Sequence, residues 1–201
     1  QIVVRADSEI STVEELEGHR VSVGEEESGT KQNALQILAA YGLNEKLVEE
    51  VSLNYTEAAK ELENGSIDAF FCTAGAQTAA IANLAQRTGI RFLNVDGAAA
   101  ARLKKSYPVY DSCIIAAGTY PGQEEDVSTV GVKAVLLASD SVSAEVVEEL
   151  TALLFEEQQE LDFALPVELI TEADAAADGL PVPFHKGAER YYESRGEKSE
   201  N

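Results

Sequence analysis

Short apolar segments with the alternation of a strand take turns along this chain with segments that have helical spacing. Residues 20–23 and 51–55 alternate as strands do, and residues 67–72, apolar except for Asp68, are a candidate buried strand. Between them, apolar residues recur every three or four positions over residues 30–41, and Gly42 follows as a helix stop. Strands joined through helices by short loops predict an α/β fold with a mostly parallel sheet.

The same patterns predict elements over the rest of the chain. Helices are expected after the Ser-Thr-Val-Glu capping box that begins at Ser11 and over residues 57–63, 78–88, 96–105, 144–159, 172–177 and 189–193. Strands are expected over residues 90–95, 112–116 and 129–138. Thr56, Asp96 and Ser143 are candidate N-caps of the helices that follow them. The last strand is long and apolar enough to pass between two lobes.

The acidic excess limits the classes of partner. The chain has 36 Asp and Glu against 15 Lys and Arg, a net charge of −21. Nucleic acids and anionic lipid surfaces both require a basic footprint, so neither is expected as a partner. A solvated acidic surface is the expected meaning of the charge. No apolar run reaches the roughly 18 residues of a membrane span, and no signal-peptide pattern opens the sequence.

Two cysteines, Cys72 and Cys113, are too few for a disulfide scaffold or a zinc site. Both fall in strand-like segments, so buried free thiols are expected. A single disulfide is the alternative in an oxidising compartment.

Two glycine-containing turns are the best candidates for binding chemistry. In the first, Gly24 to Thr30, glycines allow a close backbone approach to a ligand, and the helix that follows presents free N–H groups that favour an anion. Ser28 and Thr30 add hydroxyl groups. The second turn, Thr73-Ala74-Gly75, also lies between a strand and a helix. An ordinary strand-to-helix turn is the alternative interpretation of each.

Catalytic patterns are not found in the sequence. The first turn resembles a phosphate-binding P-loop, but Thr30 and Lys31 stand in the wrong order and three glutamates would repel a triphosphate. His19 and His185 lie in no nucleophile or acid–base motif, so surface or capping roles are expected. His185 and Glu189 could share a helical face, but two ligands do not make a metal site. We therefore expect no enzyme, no metal and no cofactor.

Several segments together resemble the TAXI family of TRAP transporter solute receptors. They are Gly18 to Gly24, Ser28-Gly29-Thr30, Asn33 to Leu38, Gly65 to Phe71, Thr73-Ala74-Gly75 and His185 to Glu193. The most specific piece is Tyr107-Pro108-Val109-Tyr110 followed by Ala117 to Gln123. These similarities occur in the family's order over nearly the whole chain.

The resemblance implies a periplasmic-binding-protein-like α/β fold, with one complete lobe and the C-terminal part of the other. The ligand-binding lobe would cover residues 8–127. Residues 128–201 would supply a crossover strand and C-terminal helices that return to the first lobe. The implied function is capture of a small organic anion or amino acid, such as glutamate or 2-oxoglutarate, for a TRAP-type membrane permease. The implied location is the periplasm or another extracytoplasmic compartment.

The family's motif positions also imply a set of ligand-binding residues along the cleft. They are Ser28, Gly29, Thr30 and Asn33 on one turn, Ala74, Gly75 and Thr78 on the facing turn, and Thr119 and Tyr120 near the lobe crossover.

Two departures from the family pattern lead to further expectations. A further N-terminal stretch usually precedes these motifs, so a chain that begins here is expected to hold one wall of the cleft, to bind weakly and to self-associate. Glu25-Glu26-Glu27 also replace the family's small residues, and their carboxylates are expected to meet solvent or a ligand ammonium. Alternatives are an enzyme on a two-lobed α/β scaffold, and a truncated product without binding activity.

Overall fold

A computed structural model describes residues 1–156 and 182–195. The chain divides into two compact units, Gln1–Val132 and Lys133–Asn201. The first unit contains the sheet and both glycine turns, and the second contains two of the described helices. Among the residues that the structure describes, no helix is long and apolar enough to cross a membrane.

The first unit is built on a five-stranded mixed sheet. Its strands are β1 (Ile2–Arg5), β2 (Arg20–Ser22), β3 (Glu49–Val51), β4 (Ala69–Phe71) and β5 (Ile90–Phe92), in the spatial order β3-β2-β4-β1-β5. β2 runs parallel to β3 and β4, whereas β1 runs antiparallel to both of its neighbours, β4 and β5. The predicted α/β class is therefore confirmed. The mostly parallel sheet is corrected, because β1 enters the sheet between two strands of the opposite direction.

Helices cover both faces of this sheet. They are α1 (Gly29–Ala40), α2 (Tyr55–Glu63), α3 (Ala79–Thr88) and α4 (Gly97–Ser106), and a single 3-10 turn covers Glu14–Leu16. Successive β1 side chains point to opposite faces. Val4 accordingly packs in a core with α1 and α4, and Val3 packs in a second core with α2 and α3. Each fully buried Leu, Ile or Phe in these cores contributes about 1.5–3 kcal/mol.

A separate antiparallel pair follows α4. It is formed by β6 (Tyr110–Ile115) and β7 (Val127–Val132), with Tyr110 opposite Val132 and Ile115 opposite Val127. The prediction of a strand over residues 129–138 was wrong in its second half. β7 ends at Val132, and Leu136 and Leu137 beyond it are exposed without strand pairing, since a strand needs a hydrogen-bonded neighbour as well as an apolar sequence.

The second unit pairs α5 (Ala144–Glu156) with α6 (Lys186–Ser194). A Cβ on Gly187 would clash with the Ala144 carbonyl oxygen, so glycine permits this close approach. An aromatic cluster joins the helices, with Phe155 stacked on Tyr191 at a centroid distance of 5.6 Å. The end of the predicted helix 144–159 and the whole predicted helix 172–177 lie outside the described residues.

Some local predictions require correction. Asn54, not Thr56, is the N-cap of α2, because its side chain accepts the Glu57 N–H while the Glu57 side chain accepts the Asn54 N–H. Asp96 occupies the N-cap of α4 without a side-chain cap bond. Both cysteines are free, as expected, but burial was predicted correctly only for Cys72, because Cys113 is exposed on β6.

Candidate functional site

The two glycine turns lie at one edge of the sheet. β2 and β4 are parallel neighbours, so their carboxyl ends lie side by side. The first turn connects β2 with α1 and the second connects β4 with α3. Ligands of α/β sheets bind at such carboxyl ends, where free N–H groups of the following helices face the same space.

Backbone geometry forces the first turn to bend tightly. Gly24 has a φ of +100°, and a Cβ at this position would lie 2.8 Å from Thr30 side-chain atoms. Glu27 also has a positive φ, 60°, which is uncommon for a residue other than glycine. Ser28 then caps α1, and its hydroxyl accepts the Lys31 N–H at 3.1 Å. Gly29 is left exposed as the first residue of the helix, with open space around it.

The charged groups of the first turn pair with each other. Lys31 Nζ lies 2.7 and 2.8 Å from the two carboxylate oxygens of Glu26, and the Ser52 hydroxyl donates to one of them at 2.6 Å. The hydrogen bonds from Lys31 and Ser52 hold the pKa of the Glu26 carboxyl below its usual value. The Lys31 charge is thus neutralised locally. Glu25 and Glu27 are exposed.

The second turn has similar geometry and different partners. Gln77 has a φ of 63° directly before Thr78, the N-cap position of α3. The Thr78 hydroxyl makes no cap bond and donates instead to the Gly75 carbonyl at 2.8 Å. The Thr78 N–H donates to the Tyr120 hydroxyl at 3.1 Å, which in turn donates to Gln1 Oε1 at 2.5 Å.

Gln1 also supports the second turn from the start of β1. Its amide nitrogen donates to the carbonyl oxygens of Ala74 and Gly75 at 3.2 and 3.3 Å. Because β1 is antiparallel to β4, its amino end reaches the edge where β4 ends. The reversed strand direction thus places Gln1 beside this turn.

Side chains from the two turns are in direct contact. Asn33 on α1 donates from Nδ2 to Thr73 Oγ1 at 3.2 Å. The Tyr55 hydroxyl donates to the Thr73 carbonyl at 3.0 Å and lies 2.6 Å from Thr30 Oγ1. Since Tyr55 gives its one proton to Thr73, the Thr30 hydroxyl is the donor in the Thr30–Tyr55 bond. These bonds join the two turns into one polar cluster.

Tyr110 supports this cluster from β6. Its hydroxyl lies 2.8 Å from Asn33 Oδ1 and 2.6 Å from Gln36 Oε1, and the residue is only 4% exposed. Burial raises the pKa of Tyr110 to about 12. Its hydroxyl therefore keeps its proton at neutral pH and can donate.

The structure brings seven of the nine implied ligand-binding residues to this edge of the sheet. They are Ser28, Gly29, Thr30 and Asn33 from the first turn and helix α1, with Ala74, Gly75 and Thr78 from the second turn. Tyr120 is 1% exposed and supports the second turn from the core. Thr119 donates to the Ala116 carbonyl at 2.6 Å within its own turn. A ligand contact by any of the nine stays a prediction.

Sequence reasoning did not single out the two tyrosines that organise the cluster. Tyr55 opens α2, and Tyr110 is 77 positions from Asn33 along the chain. Tyr110 is the last residue of the Tyr-Pro-Val-Tyr segment, which is part of the family resemblance. That resemblance was the one sequence signal that pointed to Tyr110. No local pattern indicated a hydrogen bond to α1.

His19 lies away from this cluster, and His185 belongs to the second unit. His19 precedes β2, and its Nδ1 lies 3.1 Å from Asp68 Oδ2 at the opposite edge of the sheet. An open cleft of about 580 Å³ lies there, lined by Arg5, Asp7, Ser8, Glu9, Ile10, Glu15, His19 and Asp68. His185 caps α6, with Nδ1 accepting the Gly187 N–H at 3.1 Å. No group of three or more potential metal ligands occurs in residues 1–156 and 182–195.

Comparison with known proteins gives a family match over almost the whole chain. Residues 1–196 match the NMT1-like family. Among solved structures, the periplasmic aliphatic sulphonate binding protein SsuA from Escherichia coli is 18% identical, over 96% of this chain and 60% of that chain, with a TM-score of 0.48. The alkanesulfonate-binding protein SsuA from Xanthomonas axonopodis pv. citri, bound to MOPS, is 18% identical over 96% and 54%, with a TM-score of 0.48.

An ancestral arginine-binding protein bound to arginine is 19% identical, over 81% of this chain and 55% of that chain, with a TM-score of 0.42. The chain thus spans less than two thirds of the length of each of these proteins. All three TM-scores are below 0.5. The description of the fold therefore rests on the strand pairing of this chain alone.

Proposed function

The chain belongs to the NMT1-like family, and from this premise we propose that it is an extracytoplasmic solute-binding protein of the TAXI type. It captures a small organic anion or amino acid, in the class of glutamate and 2-oxoglutarate, and delivers it to a TRAP-type membrane permease. Residues 8–127 form the ligand-binding lobe, and residues 128–201 supply the crossover strand and C-terminal helices, as the resemblance implies. The binding residues are the polar groups where the two glycine turns meet.

One observation carries this proposal: two turns of the same geometry, each followed by a helix, are joined by the Asn33–Thr73 hydrogen bond. The first N–H groups of a helix have no partner within the helix. Gly29 is exposed at such a position and leaves room for a ligand. A carboxylate placed there would accept backbone N–H bonds without needing a cationic side chain.

The Glu26–Lys31 pair narrows the class of ligand. Since Lys31 is neutralised by Glu26, the first turn offers hydrogen-bond donors rather than net positive charge. Glu25 and Glu27 remain exposed beside it. A ligand with a carboxylate and an ammonium suits these surroundings, because the carboxylate meets the N–H groups and the ammonium meets the glutamates. This favours amino acids within the proposed class.

No observation on the described residues supports the alternative, an enzyme, as the joined turns support solute binding. His19 pairs with Asp68 at the opposite edge of the sheet from the joined turns, and His185 accepts a backbone N–H of α6 in the second unit. Burial raises the pKa of the Cys72 thiol near the second turn, which disfavours the nucleophilic thiolate.

Replacement of Gly29 tests the proposed site. Gly29→Asp places a carboxylate at the first position of α1, where it favours the helix and repels an anion. Gly29→Asn has almost the same shape without the charge and is the matched control. We expect Gly29→Asp to weaken binding of L-glutamate about tenfold relative to Gly29→Asn, with neither variant losing thermal stability. Calorimetry measures the affinities, and thermal melts check the fold.

Two results would contradict the proposal in different ways. Equal affinities of the two Gly29 variants would place the anion elsewhere on the chain. Absence of any binding of L-glutamate, 2-oxoglutarate or aspartate at millimolar concentration would contradict solute capture by these residues. Size-exclusion chromatography of the same samples tests the expected self-association.

A further inference from the structure

The number of protons available around the Tyr110 hydroxyl decides which of its neighbours donate and which accept. Tyr110 has one hydroxyl proton, yet its oxygen lies within hydrogen-bond distance of two amide oxygens, Asn33 Oδ1 and Gln36 Oε1. Only one can accept that proton. The other side chain must turn its amide nitrogen towards Tyr110, so that an amide N–H donates to the Tyr110 oxygen. Two amide oxygens cannot both accept the single hydroxyl proton of Tyr110.

The remaining contacts of the two amides decide which one turns. Asn33 uses Nδ2 for Thr73 Oγ1, which leaves Oδ1 for Tyr110. Within the described part of the chain, the Gln36 amide has Tyr110 as its side-chain partner. Rotation of the Gln36 amide therefore breaks no other bond. The direction of donation becomes Gln36 to Tyr110, Tyr110 to Asn33, and Asn33 to Thr73.

We infer that Thr73 is a further ligand-binding residue, whose hydroxyl this network orients as a donor to an acceptor oxygen of the solute. Its Oγ1 accepts from Asn33, so its own proton points away from that bond. None of the described residues accepts this proton, and the side chain is exposed at the junction of the two turns. The Tyr55 hydroxyl holds the Thr73 carbonyl, which fixes the backbone that carries the hydroxyl.

This inference rests on the proposed function and makes it more specific. The junction presents protons from Thr73 Oγ1, from Asn33 Nδ2 and from the first N–H groups of α1. A site of donors selects a carboxylate or another oxyanion, since an ammonium group carries no acceptor. Tyr110 acts on the solute through Asn33 and Thr73 and is a positioning residue.

Removal of the Thr73 hydroxyl tests the inference. Thr73→Val keeps the shape and loses the donor, whereas Thr73→Ser keeps the donor. Thr88→Val, at the exposed end of α3, is the matched control for a Thr-to-Val change outside the site. We expect Thr73→Val to weaken acid binding about tenfold, because a hydrogen bond to a charged acceptor is lost. Thr73→Ser and Thr88→Val should bind within about threefold of the unaltered chain.

Two probes distinguish a donor from an acceptor at Thr73. L-Glutamate carries an ammonium group, and 2-oxoglutarate carries a keto oxygen in its place and offers only acceptors. A donating Thr73 hydroxyl predicts a similar loss with both probes in Thr73→Val. If the Asn33 amide has the reverse orientation, the Thr73 proton points inward and its lone pairs face the solute. The loss would then occur with glutamate alone.

Each outcome in calorimetry supports or overturns the inference. Parallel losses for both probes, with Thr73→Ser restoring affinity, support it. Unchanged binding by Thr73→Val, or a loss restricted to glutamate where both probes bind, overturns the donor role while the proposed function stands. If the unaltered chain binds glutamate alone, a loss in Thr73→Val that Thr73→Ser restores supports Thr73 as a ligand-binding residue, and unchanged binding overturns it. An unaltered chain that binds neither probe overturns the proposed function, and the role of Thr73 with it.

Discussion

The two glycine turns share a backbone geometry and differ in what holds them. Each follows a parallel strand, and each has a residue other than glycine at positive φ directly before the N-cap position, Glu27 in one and Gln77 in the other. The first turn is held mainly by its own neighbours, through the Ser28 cap and the Glu26–Lys31 pair, with Ser52 as a more distant donor to Glu26. The second turn depends more on distant residues, Tyr120 and Gln1. Similar turns thus differ in their balance of local and tertiary support.

This difference bears on how the site is organised. Residues at unusual φ values persist only where their surroundings hold them, and they are common at ligand sites. The Ser28 cap and the Glu26–Lys31 pair of the first turn need only the residues between β2 and α1. The second can form only after β1 has entered the sheet beside β4 and Tyr120 has packed against it. Changes in the protein core should therefore affect the second turn more than the first.

The largest expected effect comes from the tightest position of the first turn. Gly24→Ala forces a Cβ into contact with Thr30 and imposes a side chain on a φ of +100°. We expect a loss of about 2–4 kcal/mol in the free energy of unfolding. Urea denaturation measures it. Gly29→Ala is the matched control, because its Cβ would meet open space, and it should be neutral or stabilise by up to about 1 kcal/mol.

Removal of the tertiary support of the second turn should have the next largest effect. Tyr120→Phe leaves the Thr78 N–H and Gln1 Oε1 without their partner. We expect a loss of about 1–2 kcal/mol in the free energy of unfolding. Tyr107→Phe changes an exposed tyrosine and should stay within about 0.5 kcal/mol. If the two variants unfold at the same urea concentration, the second turn does not depend on Tyr120.

The smallest effect distinguishes the two N-cap positions. Ser28→Ala removes a side-chain cap bond to Lys31 and should cost about 1 kcal/mol. Thr78→Ala removes an exposed bond to the Gly75 carbonyl and no cap bond, so its cost should be below about 0.5 kcal/mol. Thermal melts of both variants compare them. A larger cost at Thr78 would show that the second turn also relies on its own residues.

Much of the local structure could be predicted because it depends on near neighbours. Apolar spacing and Gly42 predicted α1 to within one residue at each end, and Ser28 was foreseen as a hydroxyl group of its turn. The errors arose where two local signals competed. Thr56 and Asn54 are both able to cap α2, and the choice depended on Glu57 reaching back to Asn54. Among the described residues, the apolar run after Val132 also had no strand paired with it.

By itself, the sequence determined the alternation of strands and helices, the α/β class, the position of both glycine turns and the Ser28 hydroxyl in the first, whereas Glu26 was expected to meet solvent or a ligand and instead pairs with Lys31. Periodicity, caps and glycines act over a few residues, so they can be recognised without knowing the fold. Only the tertiary structure decided that β1 reverses direction, that Tyr120 holds the second turn, and that Tyr110 orients Asn33. Asn33 and Thr73 are 40 positions apart, and Asn33 and Tyr110 are 77 apart. Such contacts form only after the sheet has assembled and brought these distant segments of the chain together. A pattern that spans a few residues cannot predict them.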